Sequence, residues 1–414
     1  MSRFNQVSAT NTSLAPLAMG LSSQSVAFSH YNNLSAQLPV DPASGALVAG
    51  GARGQAVQCF KNIQAIVEGM KHVMDDVVKI SIFLRNIDDL GAVNEAIAEF
   101  FPGYLPARTV VAVADLPMDA LVQIEALVSH GEGTIPDAPQ AGDLVKVARN
   151  TGNAPVSSVS TQTVAFSHYN NLSAQLPTDP STGQLVTGGI QEQTRQCFNN
   201  IQAILAGIGH SMEDVVRITV FVKNLSDLDS ACGVYQSCFP AYRPALTTVP
   251  VADLPMHALV QVEAVVSHGD GTPPQPVEDA RNIVIKANDS AQAPRGPSSQ
   301  TVAFSHYNHI SAQLPLDPDT GGLVPGGITA QTTQCLTHIR EIVSSIGHSL
   351  ADVVKVNIAV RHLSDMAAVN AVYTSFFPGG IPARRVIGVA ELPHGALIQI
   401  DVVVSNAEGT PPAH

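Results

Sequence analysis

The sequence predicts an α+β chain of three like domains, each a mixed β-sheet with two helices on one face, gathered about a pseudo-threefold axis. Three observations predict it: a repeat of fixed period, strand and helix periodicities that alternate within each repeat, and strands apolar on both faces. SHYNNLSAQLP begins at Ser29, recurs at Ser167 and returns as SHYNHISAQLP at Ser305, so the period is 138 residues and three periods fill the 414-residue chain. QCF, QCF and QCL at Gln58, Gln196 and Gln334 keep that register, as do DVV at Asp76, Asp214 and Asp352. ADLPM, ADLPM and AELPH at Ala114, Ala252 and Ala390 close the series. A period this long is a whole domain and not a solenoid unit. Domains are therefore expected at 1–138, 139–276 and 277–414. The joining segments 131–143 and 269–281 are polar and rich in Pro and Gly, which reads as extended linker. About a dozen residues reach roughly 40 Å when extended, enough to cross from one domain's last strand to the next domain's first.

Each element of a copy follows from local pattern. A short strand is expected near Val7, Val145 and Ile283, then a hairpin over 26–35 turning at Ser29 and His30. Asp41-Pro42-Ala43-Ser44-Gly45 is a tight-turn signal, matched at 179–183 and 317–321. Cys59, Ile63, Ile66 and Met70 fall at helical spacing, whereas Val78, Ile80, Ile82 and Leu84 alternate as a strand. A second helix carries Val93, Ile97 and Phe100, with Asp88 (Ser226, Ser364 in the other copies) as its expected N-cap. Strand runs at 109–114 and 120–129 end the copy. Helices on one face leave the sheet's other face to be covered. The closing strand is apolar on both sides at its ends, so three copies can bury those faces on one another. One chain then does what cyclic symmetry does for separate subunits.

Composition limits the partners. Charged residues make up only 13% of the chain against 45% apolar, which suits domains that bury a second face against neighbours. A net charge of −13 with no basic stripe argues against nucleic acid, whose binding rests on neutralised phosphates. No apolar run approaches the roughly 20 residues of a membrane helix, and MSRFNQVSATNTSLAPLAMG lacks a signal-peptide core. Cys59, Cys197 and Cys335 occupy equivalent helical positions, while Cys232 and Cys238 fall only in the middle copy. An odd count at core positions reads as reduced thiols in a cytoplasmic protein. No His, Cys and Asp group has metal-ligand spacing in sequence, and no phosphate-cradling Gly loop occurs, so no metal or cofactor is expected. His30, His168 and His306 form one triplet, expected to be solvated or packing at the hairpin turn. His72, His210 and His348 form another, at a helix exit, with no functional role expected.

SAQLPxDPxTG, DVVKxxxFLxN, VNEAIAEFF and LPAR…VAxLP…VQIEA, in that order and spacing, resemble the reactive intermediate deaminase A (RidA, or YjgF) family. The resemblance covers each copy nearly end to end. It implies a chorismate-mutase-like trimer with ligand clefts between neighbouring domains, and hydrolysis of reactive enamines and imines to 2-keto acids and ammonia.

The resemblance also assigns residues. The Arg of Pro-Ala-Arg is the family's carboxylate anchor, here Arg108 and Arg384. A guanidinium presents a planar fork of two donors that matches a carboxylate. The backbone at Val110 and Val386 would donate to the same carboxylate, and the family's helical Asn falls on Asn94 and Asn370. The middle copy reads Arg243-Pro244-Ala245-Leu246, so Leu246 takes the anchor position and Cys232 that of the Asn. Ser35, Ala36, Ser311 and Ala312 take the place of the family's cleft-wall SGQ stretch, whose glycine becomes Ala36, Ala174 and Ala312 and narrows the cleft by a methyl. The family's catalytic Glu aligns with Gln123, Gln261 and Gln399, and its Tyr with Ser22, Ser160 and Ser298. Gln can hold a water but cannot take its proton at neutral pH. Glu125, Glu263 and Asp401, two residues on along the same strand face, are candidates to act in its place.

Two functions are compatible with these residues. One is hydrolysis of a small carboxylate-bearing enamine or imine at interdomain clefts; the other is binding of a 2-keto acid or similar carboxylate without turnover. Both expect a small carboxylate ligand, and a monomer that acts as an intramolecular trimer.

Overall fold

The computed structural model describes residues 7–18, 20–129, 146–267, 286–289, 293 and 296–406. The expected linkers, 131–143 and 269–281, lie outside the described residues. In the first copy the elements are β1 (Ser8–Thr10), β2 (Ser25–Phe28), β3 (Tyr31–Leu34), α1 (Gly51–Gly69), β4 (Val77–Leu84), α2 (Leu90–Phe100), β5 (Ala107–Ala112) and β6 (Val122–Ser129). Their sheet order is β1-β2-β3-β6-β4-β5, and the same six-stranded order repeats in the other two copies. Only β4 and β5 pair in parallel, with Ile80 opposite Arg108 and Ile82 opposite Val110; the other pairs are antiparallel. The sheet is therefore mixed, and β5 stands at its edge.

The short first strand expected near Val7 is Ser8–Thr10, with equivalents at Val147–Arg149 and Lys286–Asn288; Val145 and Ile283 themselves lie outside the described residues. One expected detail shifts. Asp88 does not cap the second helix: a short 3-10 turn at Ile87–Asp89 precedes α2, and the Asn86 side chain accepts from the Asp88 backbone N–H at 3.1 Å. The cap belongs to the turn, two residues before the position that periodicity pointed to.

Alternation along β4 and β6 sorts side chains to two faces. Ile80, Ile82, Leu84, Val122, Ile124 and Ala126 pack under α1 and α2 with Cys59, Phe60, Ile63 and Val93. Each fully buried Ile, Leu, Val or Phe among them contributes about 1.5–3 kcal/mol. Cys59, Cys197 and Cys335 are all fully buried in these helix–sheet cores, and burial pushes their thiols up, so they are inert.

The other sheet face meets the other two copies. One shared core joins Phe28 and Tyr31 with Phe166, Tyr169, Phe304 and Tyr307; a second joins Phe83 and Val111 with Phe221, Val249 and Ile387. Tyr31 donates its hydroxyl to the Phe166 carbonyl, Tyr169 to that of Phe304, and Tyr307 back to that of Phe28. The three tyrosine rings lie 6.2, 6.2 and 5.9 Å apart. Each copy thus donates to the next and the third returns to the first, a closed ring of contacts within one chain.

Candidate functional site

The seams between copies are built from the free edge of β5. Its N–H groups at alternate residues point away from β4 and are taken up by the next copy. Arg108 N donates to Ser173 Oγ at 2.8 Å, Ala112 N donates to Asp253 O at 2.9 Å, and Ala174 N returns a bond to Arg108 O at 3.0 Å. The third copy closes on the first in the same way, Arg384 N to Ser35 Oγ at 2.8 Å and Ala36 N to Arg384 O at 3.0 Å. Val110 and Val386 lie midway between two such donors, so alternation points their N–H groups out of the same edge.

At the first seam Arg108, Val110, Ser173, Ala174, Gln175, Ser160 and Gln261 line a cleft of about 620 Å³. The Arg108 guanidinium donates to Asn94 Oδ1 at 2.5 Å, and burial pushes its pKa down to about 10. Arg384 is 7% exposed, donates to Asn370 Oδ1 at 2.7 Å and lies 4.5 Å over the Tyr373 ring. Among the described residues no carboxylate lies within ion-pair distance of Arg108 or Arg384. Arg217 and Arg385, by contrast, each hold an acid: Arg217 reaches Asp401 at 2.7 Å and Arg385 reaches Glu125 at 3.2 Å. A largely buried guanidinium braced by an amide oxygen and lacking a counter-charge is chemically suited to an anion.

At the seam that carries Leu246, a cleft of about 440 Å³ is lined by Cys232, Leu246, Thr248, Ser298, Ser311, Ala312 and Gln399. Arg243 is exposed and does not line it. The structure thus pairs residues across copies in a way the repeat alone does not reveal. Ser311, Ala312 and Gln399 face Leu246, not an arginine. Arg108 shares its cleft with Ser173, which sequence reasoning did not name, and with Ala174 and Gln261, the middle copy's counterparts of Ala36 and Gln123; Arg384 meets Ser35 and Ala36. Gln123 holds in the first copy the place that Gln261 holds in the second, beside Gln37, which pairs with Ile124.

The three glutamines differ in their bonds. Gln399 Nε2 donates to Thr248 O at 2.9 Å, whereas Gln123 Oε1 and Gln261 Oε1 are buried acceptors with no partner. The two orphan oxygens belong to the seams with arginine.

Glu125 and Asp401 do not line the clefts described above. Glu125 lines a separate central cavity of about 150 Å³ with Glu263, Lys79, Arg217, Lys355 and Arg385, and Asp401 is bonded to two residues of its wall, Arg217 and Asn357. Glu125 lies 2.9 Å from Lys355, and Glu263 lies 3.0 Å from Lys79 and accepts from Thr109 Oγ1. Asp401 accepts from Asn357 at 2.9 Å in addition to its arginine. Burial alone would raise the Glu125 carboxyl, but Lys355 and Arg385 hold it down, to about 2. Such a carboxylate stays charged and cannot serve as a base near neutral pH. The physical reason for the separation is the strand itself: two residues span about 6.8 Å, so Gln123 and Glu125 share a face but open into different chambers. A sequence signal for this cavity existed in the polar residues Lys79 and Ser81, on the face of β4 turned away from the helices.

His72 and His210 sit 3.1 and 3.2 Å from Asp76 and Asp214, as structural pairs at the helix exit. His30, His168 and His306 converge from all three copies, with ring centroids 5.3–5.4 Å apart.

Comparison with known families matches the one described as Endoribonuclease L-PSP three times, over residues 12–130, 152–268 and 289–406. A 2-iminobutanoate/2-iminopropanoate deaminase of Dermatophagoides farinae is 42% identical over 118 residues, 28% of this chain and 92% of that protein. The protein of the same name in Capra hircus is 38% identical over 124 residues, 30% of this chain and 90% of its own length. The crystal structure of RidA from an Antarctic Psychrobacter is 35% identical and covers 30% of this chain and 99% of its own, with a TM-score of 0.29. With three successive matches along one polypeptide, the chain belongs to the Endoribonuclease L-PSP family, that of RidA, as a tandem of three domains.

Proposed function

We propose that this chain hydrolyses small 2-imino acids, or their enamine tautomers, to 2-keto acids and ammonia at the Arg108 and Arg384 clefts. The observation that carries the reading is the pair of buried, amide-braced guanidinium groups without an acid partner among the described residues. The Arg fork and the Val110 or Val386 N–H hold the substrate carboxylate, which fixes the C=N carbon in the seam. The orphan Oε1 of Gln261 or Gln123 accepts from a water and orients it toward that carbon. Water adds to the C=N carbon, its proton passes to the imine nitrogen, and the carbinolamine expels ammonia and leaves the keto acid. Imine hydrolysis has a modest intrinsic barrier, so positioning the carboxylate and one water supplies much of what is needed without a strong base. The relatives named as 2-iminobutanoate/2-iminopropanoate deaminases support this substrate class.

Gln in place of an acid supports a second reading, in which the same clefts bind a 2-keto acid without turnover. The deciding experiment generates 2-iminopropanoate in situ and follows keto acid release with wild type and Arg108→Ala/Arg384→Ala. Acceleration that disappears in the double variant supports the enzyme. Pyruvate binding without acceleration supports the second reading, and wild-type rates in the double variant overturn both. The tyrosine ring that closes within one chain supports a monomer as the working unit. Light scattering is expected to give the mass of one 414-residue chain, and a stable particle of three chains would contradict it.

A further inference from the structure

We propose that His30, His168 and His306 form a binding site for one divalent transition-metal ion of the zinc type. The three residues are 138 apart in sequence and meet because the same turn of each copy comes to one place. Ser29, Ser167 and Ser305, just before each histidine, all have left-handed backbone, with φ of 51°, 49° and 48°. A non-glycine residue at positive φ is uncommon, and here the same departure recurs at all three turns that carry the histidines.

The spacing fits a metal. Each ring offers a ligand nitrogen, and the three nitrogens lie within 4.8 Å of one another. A zinc–nitrogen bond of about 2.0–2.1 Å puts three imidazole centroids about 5.2 Å apart in tetrahedral geometry and about 5.5 Å apart in trigonal geometry. The observed separations of 5.4, 5.3 and 5.3 Å fall between the two, and the interplanar angles of 58°, 62° and 60° make a regular three-bladed arrangement. His306 Nδ1 is buried and makes no hydrogen bond. Three neutral imidazoles without a carboxylate favour ions such as zinc, copper or nickel over magnesium or calcium, and a fourth position remains for water. The ion would lie where all three copies meet, beyond the tyrosine layer and away from the arginine clefts, and would pin the three hairpins together.

The test uses the untagged, full-length chain stripped with EDTA. Calorimetric titration with Zn(II) is expected to give one ion per chain, and Co(II) the visible bands of a four-coordinate site. His168→Ala and His30→Ala are each expected to weaken zinc binding by about 100-fold or more, since a ligand contributes at least as much as its outer-shell supports. His257→Ala, at an exposed histidine paired with Asp253, should change nothing. Ring resonances of His30, His168 and His306 that shift together on zinc addition to wild type identify the ligands even if a variant fails to fold. Loss in both variants, or that joint shift, supports the site. The absence of a one-to-one site in wild type, or affinity retained in either folded variant, overturns it.

Discussion

The seam carrying Arg108 and the seam carrying Leu246 are the same construction with different contents. Arg108 N and Leu246 N each donate to a serine Oγ of the next copy at 2.8 Å, and each carbonyl accepts from the following alanine N–H, at 3.0 and 3.1 Å. What differs is chemistry. Leu246 is 5% exposed and has joined the apolar core of its own copy, with Cys232 packed against that core in place of the asparagine. The backbone seam does not depend on the anchor, so a copy can lose its guanidinium and still wall its neighbour's cleft. The middle copy does so, because Ser173 and Gln261 complete the cleft of Arg108.

If walls and chemistry are separable in this way, damage to a wall should cost far more than damage to an anchor. Ile218 is fully buried at the centre of the middle copy's equivalent of β4, in the core that contains Leu246. Ile218→Asp forces an unpaired carboxylate into that core and is expected to cost about 4 kcal/mol or more. Thermal unfolding should show the whole chain destabilised, and carboxylate binding at both arginine clefts should fall with it. Intact binding there would mean that the copies behave as independent beads.

Anchor loss is the next largest effect. Arg108→Ala/Arg384→Ala is expected to weaken pyruvate binding by about 100-fold, nearly 3 kcal/mol, with little change in melting temperature. Each single variant should remove one of two sites in a calorimetric titration, and Leu246→Ala should remove none. Three equivalent sites in wild type would erase the distinction between the seams.

The reach of sequence reasoning has a physical boundary here. Period and alternation are enough for the sheet and the helices, and the resemblance is enough to single out Arg108 and Arg384, because each is a property of one copy. Gln261 facing Arg108, and Gln399 facing Leu246, are properties of the order in which copies meet, and a repeat carries no sign of that order. The separation of Glu125 from Gln123 was hidden for a different reason. Strand periodicity reports the face of a residue, not which of two chambers along that face it enters.

Glu125 sharpens the comparison between clefts and central cavity. Lys355 and Arg385 depress its pKa from an ordinary 4.5 to about 2, so the folded state binds the carboxylate's proton less readily than the unfolded chain. Its contribution is therefore present above pH 4.5 and lost as the pH falls through 2. The full amount is about 3 kcal/mol. Lys355, also depressed by burial, keeps its charge throughout that acid window and does not change the sign. Stability measured from pH 6 down to pH 2 should fall more steeply in wild type than in Glu125→Gln. Parallel curves would show that the ion pair does not couple to folding.

The smallest effect expected is also the most direct test of separability, because it asks whether chemistry can be returned to a seam that kept its backbone. Leu246→Arg alone places a guanidinium where Cys232 offers no amide oxygen, and the Leu246 contacts with the core are lost, so a modest destabilisation is expected. Cys232→Asn/Leu246→Arg restores the pair that holds Arg108 to Asn94 and Arg384 to Asn370. Tyr235 stands where Tyr373 lies under Arg384, so a ring is already present beneath the new side chain. The double variant should fold within about 1 kcal/mol of wild type, since a guanidinium at a cleft can turn its head to solvent while its stem stays packed. Gln399 is tied to Thr248 O, so the rebuilt cleft should bind a carboxylate without matching the orientation of water at the other two. Titration with pyruvate is expected to rise from two sites per chain to three, with keto acid release per chain increased by less than half. If the third site fails to appear in a variant that folds, the middle seam differs in its backbone as well as its side chains, and the separation of wall from chemistry does not hold.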